Sequence, residues 1–127
     1  TVASIKKLNC VENVYWHVTQ TVSILNILSL DVLGDWLYKN FGKIPHHNYV
    51  LYPEYLSLAA LPESYKEKIR QHYVDKLPEQ QLKELYAKLQ INFNPDALKK
   101  GKEFINAVDT VRGLSYKDYI PELGEIL

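Results

Sequence analysis

Strand patterning is confined to two short stretches, and this limits the fold more than any other feature of the chain. Residues 14–22, VYWHVTQTV, alternate and are rich in β-branched and aromatic residues, the signature of a strand. One face carries Val14, Trp16, Val18, Gln20 and Val22; the other carries Tyr15, His17, Thr19 and Thr21. The first face is expected to pack on helices, with Trp16 and Val18 beneath them, leaving a face of hydroxyls and an imidazole. A second strand is expected over Tyr49–Tyr52, halted by Pro53. Two strands close neither a sheet nor a barrel.

Helices account for the rest. Ala3, Ile5 and Leu8 share one face of a short N-terminal helix, which gives way to a turn at residues 9–13. Ser29 or Asp31 caps a helix with Leu30, Leu33 and Leu37 at helical spacing, Trp36 widens the stripe, and Gly42 ends it. From Pro62 onward the pattern is wholly helical, with prolines suited to a first turn. The stripes are Tyr65, Ile69 and Tyr73; then Leu82, Leu85, Tyr86 and Leu89 after Pro78; then a long helix capped by Asn94 and ended by Gly113. The expected organisation is an α/β segment over 1–61, with the rhythm of parallel α/β structure, followed by a helical segment over 62–127.

Composition excludes several functions. The 127 residues are 46% hydrophobic and 24% charged, enough for a folded domain. Fifteen basic and fifteen acidic residues balance to zero net charge, leaving no basic excess for a nucleic-acid backbone. The apolar stretch at 22–33 is interrupted by Ser23, Asn26, Ser29 and Asp31, so no membrane span is expected and the cytoplasm is the default compartment. With no methionine and a start already inside a helical pattern, the chain reads as a piece of a longer protein.

Few side chains point to chemistry. His46 and His47 are adjacent, so they point apart in a strand and do not form a zinc site. His72, among Glu67, Arg70 and Asp75, reads as solvated, and Cys10 as an inert thiol. Glu79, Glu84, Asp96 and Glu103 read as helix caps or surface ion-pair partners, Glu84 with Lys88. A hydrolase built on His17 or His72 has no nucleophile–base spacing behind it. The face bearing Thr19 and Thr21, with Asn26 beyond the strand end, is different: in a parallel α/β barrel, polar side chains gather at the C-terminal mouth, where ligands bind. A plain solvent face accounts for the pattern equally well.

Three segments resemble one family. VYWHVTQTVSILNILSLDVLGDWL is similar to the strand–loop–helix late in the barrel of radical SAM proteins, and YVLYPEYLSLAALPESYKEKI to their following unit. FINAVDTVRGLSYKDYIPEL resembles the C-terminal signature of the twitch-domain radical SAM proteins: a helix ending Asp-x-x-Arg, then Gly or Asn, an aromatic-containing turn and Pro-Glu-Leu. The resemblance implies the C-terminal part of a partial (β/α) barrel with few parallel strands and a mostly helical cap. Thr19, Thr21 and Asn26 would then be cofactor-binding residues facing SAM, with no catalytic residue and no metal ligand in this chain. SAM and a [4Fe–4S] cluster would belong to the complete parent, and the implied partner is the N-terminal half of that parent or a partner subunit. With Cys10 alone, the chain lacks the three thiolates of a CxxxCxxC loop and those of an auxiliary cluster. The contrasting expectation is a non-catalytic helical module that binds a protein partner. In the C-terminal motif, Asp109 and Arg112 share a helix face, so they either pair or clamp the following turn, while Tyr116 and Tyr119 fold the last helix back.

Overall fold

The computed structural model describes residues 2–125. In chain order they form α1 (Val2–Asn9), β1 (Thr19–Val22), α2 (Leu30–Phe41), β2 (His46–Tyr49), two 3-10 turns (Glu54–Leu56 and Leu58–Ala60), α3 (Glu63–Tyr73), α4 (Glu79–Lys88), α5 (Pro95–Arg112), α6 (Tyr116–Tyr119) and a final 3-10 turn (Pro121–Glu125). The architecture is mixed α/β and mostly helical, with one two-stranded parallel sheet.

The first strand is shorter than expected and the second is displaced. Residues 14–18 have the alternation of a strand but no regular structure, and β2 occupies His46–Tyr49 rather than Tyr49–Tyr52. Pairing decides the outcome, because strand propensity is largely a measure of neighbours. The ladder opens with the His46 amide donating to the Val18 carbonyl and closes with the Val50 amide donating to Val22. Outside that window neither strand has a partner strand among the described residues. Register pairs Thr19 with His46, Gln20 with His47, Thr21 with Asn48 and Val22 with Tyr49.

The covered face of the sheet enters one core. Val22, Ile24, Ile27, Leu30 and Tyr49 cluster there with Leu58, Ala60 and Leu61 from the 3-10 region, and with Tyr65, Ile69, Tyr73, Leu85, Leu89 and Ala97 from α3–α5. Residues on both sides of position 62 therefore share one apolar interior. Trp16 is only half-buried, with its edge on Phe41 at 5.3 Å, and Val14 is exposed, so the expected apolar face is covered only toward its C-terminal end. No residue of α1 is buried.

Local rules fix several helix ends. Gly42 and Gly113 sit in the left-handed region at φ 66° and 65°, and the amide of each returns to a carbonyl four residues back. Asn94 caps α5 by accepting from the Asp96 and Ala97 amides. Ser29, in contrast, makes no side-chain cap to α2. Tyr73, fully buried, supplies that function from the far side of the core: its hydroxyl accepts from the Leu30 amide at 3.0 Å and donates to the Ile27 carbonyl. On α5, Ala97, Gly101 and Ile105 are buried. A Cβ at Gly101 would lie 3.0 Å from the Tyr55 carbonyl oxygen, so glycine is what lets the helix reach the 3-10 turn.

The C-terminal motif is a clamp. The Asp109 carboxylate accepts from the Tyr116 amide at 2.7 Å, and Ser115 caps α6 by accepting from the Lys117 amide. Tyr116 is buried with Ile105 and Leu123. Arg112 is exposed, so the acid does the clamping. The expected inward fold of the Tyr119 side chain lies outside the described residues.

Candidate functional site

Alternation along the paired strands separates two polar surfaces. On the uncovered face lie His17, Thr19 and Thr21 from the β1 side and His46 and Asn48 from β2, all exposed. Register sets Thr19 beside His46 and Thr21 beside Asn48, and the His17 and His46 rings meet edge-on at 5.2 Å. The surface offers hydroxyl, amide and imidazole groups. At its lower end a cleft of about 180 Å³ is lined by Trp16, His17, Val18, Leu37, Lys43, Ile44 and His46. Lys43 closes the rim there, donating to the Trp16 carbonyl at 3.2 Å with its ammonium 4.6 Å from the indole.

Asn26 lies past the end of β1 but does not present its amide to that face. Its Nδ2 donates to the Thr21 carbonyl at 2.7 Å, and its Oδ1 accepts from the Ser23 amide at 2.9 Å. The Val18 and Val22 carbonyls face β2, so the Thr19 and Thr21 backbone groups lie on the outer edge of the sheet. Asn26 therefore caps an edge carbonyl and shapes the strand end. Of the three candidate residues, the structure brings Thr19 and Thr21 together on one surface and gives Asn26 a backbone role.

The covered face holds the groups that sequence reasoning missed. Gln20 Oε1, both ring nitrogens of His47 and the Tyr49 hydroxyl are buried and have no hydrogen-bond partner among the described residues. Burial pushes the His47 imidazole below its ordinary range, against a smaller opposing pull from the Glu84 carboxylate. Burial, and then Glu84, pushes the Tyr49 phenol well above its ordinary range. Both groups are therefore neutral near pH 7. The available signal was the HHNY alternation itself, which sends His46 outward and His47 inward.

Other expectations change in detail. His72 is half-buried, edge-on to Tyr73 at 4.7 Å, and its Nε2 is buried without a hydrogen-bond partner among the described residues, because α3 turns that ring toward the protein rather than to solvent. In α4 the i,i+4 ion pair is Glu79–Lys83 at 3.4 Å, while Lys88 lies over the Tyr49 ring at 5.9 Å. Cys10 is exposed. Among the described residues no group of three or more His, Cys, Asp or Glu side chains could hold a metal ion, and no helix is long and apolar enough to cross a membrane. Comparisons with protein families, curated proteins and solved structures found no match to the chain.

Proposed function

We propose that this chain is the C-terminal, non-catalytic part of a radical SAM-type enzyme, in which it lines the SAM and substrate pocket and caps a partial barrel. One observation carries the reading. Parallel sheets are ordinarily covered on both faces, yet this one leaves a polar face open, with Thr19 opening β1 and Thr21 one residue from its carboxyl end. A larger parallel sheet that curved over that face would turn it into the wall of a ligand pocket, at the strand ends where such folds bind ligands.

The donor set fits one cofactor and not the other. The Thr19 and Thr21 hydroxyls suit the adenine and ribose edges of SAM, adding no charge beside a sulfonium. Asn26 supports them by fixing the Thr21 carbonyl. A [4Fe–4S] cluster needs three thiolates where SAM is to take the open iron, and this chain has one exposed cysteine. The cluster and the reductive chemistry belong, on this proposal, to polypeptide outside these residues.

The coding sequence upstream of Thr1 tests the reading. A CxxxCxxC loop followed by four further β–α units is the expected result; their absence overturns the proposal. A protein-interaction module is the second reading, and α1 favours it: Val2 and Leu8 are exposed at 47% and 43%, and no residue of the helix is fully buried. An upstream sequence without the cysteine loop would leave that reading standing.

A further inference from the structure

A second cleft lies along the β2 edge of the sheet. It has a volume of about 290 Å³ and runs between β2 and the start of α4, walled by Ile44, Pro45 and Pro78 and by His46, His47, Gln80, Gln81 and Glu84. His47 is nine-tenths buried there, with both ring nitrogens unpartnered among the described residues. Burial of an unpaired polar group is unfavourable, so a ligand that supplies the missing partner is bound with that advantage. Gln20, the register partner of His47, adds another unpartnered acceptor, Oε1, to the same face.

The chemistry of the missing partner follows from these groups. Near neutral pH the depressed His47 ring presents one N–H and one bare nitrogen. The Glu84 carboxylate and Gln20 Oε1 are acceptors only. No lysine or arginine lines the cleft, so an anion finds no counter-charge. His46 points to the other face of the sheet, leaving His47 and Glu84 too few to chelate a metal ion. Gln81 spends an amide N–H on the Pro45 carbonyl at 2.6 Å, Glu84 is the charged side chain of the lining, and the apolar wall of Ile44, Pro45 and Pro78 suits an alkyl group. We propose that this cleft binds a small organic cation carrying N–H donors, an alkylguanidinium or a primary alkylammonium, with the donors divided between His47 and Glu84.

The test uses the nitrogen-15-labelled chain near neutral pH, observing the imidazole nitrogens by NMR while methylguanidinium is added. Tetramethylammonium, with the same charge and no N–H, is the control. The expected result is a saturable shift of the His47 ring nitrogens with methylguanidinium and none with tetramethylammonium. Glu84→Gln is expected to weaken binding about tenfold or more, the loss of a charge-assisted hydrogen bond. His47→Phe is expected to abolish the effect, read on the backbone amides of residues 78–84, with an unchanged circular dichroism spectrum. Equal shifts with both cations, no shift with either, or unaltered affinity in Glu84→Gln would each overturn the assignment. A His47→Phe chain that loses its circular dichroism signal leaves the cation and Glu84→Gln comparisons to decide.

Discussion

Tyr73→Phe isolates one hydroxyl that holds two distant parts of the chain together. That hydroxyl makes two hydrogen bonds, one to the Leu30 amide at the start of α2 and one to the Ile27 carbonyl, across separations of 43 and 46 residues. The ring itself is fully buried and stays in the phenylalanine variant. Its removal leaves an amide and a carbonyl unpaired, each costing about 1–3 kcal/mol where water cannot reach it. A total of about 2–4 kcal/mol follows after modest relaxation. For a chain of this size 1 kcal/mol corresponds to roughly 3–6 °C in Tm, so a loss of about 6–24 °C is expected by circular dichroism. Amide exchange at Leu30 should accelerate with it. Tyr86→Phe is the matched control: its hydroxyl lies 3.5 Å from the Arg70 carbonyl and its ring is half-buried, so the expected change is within about 0.5 kcal/mol. A Tyr73→Phe variant that melts with the Tyr86→Phe variant would refute the capping role.

Three further outcomes follow from the geometry. Gly101→Ala gains helix propensity of about 1 kcal/mol but sets a methyl 3.0 Å from the rigid Tyr55 carbonyl; a net loss of about 1 kcal/mol is expected in urea unfolding, and a gain would show that the 3-10 turn yields. Asp109→Ala removes the acceptor of the Tyr116 amide and should cost about 1 kcal/mol, whereas Arg112→Ala, at an exposed position, should stay within about 0.5 kcal/mol in the same melts. His47 makes stability depend on pH. Because folding lowers its pKa, the unfolded chain takes up a proton first; its contribution is fully present above the unfolded value of about 6.5 and is lost as pH falls from there toward the folded value. A Tm that declines across that window in the parent and not in His47→Phe is expected, and identical profiles would contradict the burial of the ring.

What the sequence made legible was local. The caps at Asn94, Gly42 and Gly113 depend on residues within a turn of each other, and each forms where the pattern placed it. The Thr19–Thr21 face was legible too, because period-2 alternation needs no knowledge of the partner strand. The register was not, since His46–Tyr49 becomes a strand only by pairing with β1. The burial of Lys66 was equally hidden: an i,i+3 pair with Glu63 reads as surface, but the ammonium is fully buried and also donates to the Ile91 carbonyl at 2.5 Å. Nothing within a few residues of Ser29 announces that Tyr73 caps its helix, and nothing near His47 announces that both its nitrogens go unpaired among the described residues.

The central proposal, a SAM-facing sheet in a radical SAM-type protein, is tested most directly on the polypeptide of the complete reading frame, prepared without oxygen. Electron paramagnetic resonance of the reduced protein during a SAM titration reports both a [4Fe–4S] cluster and its response to SAM. A cluster signal that SAM perturbs is expected, with a titration midpoint raised about tenfold in the Thr19→Val/Thr21→Val variant, equivalent to about 1.4 kcal/mol, and its Tm unchanged. A protein without a cluster signal, or a titration that the double variant leaves untouched, would contradict it.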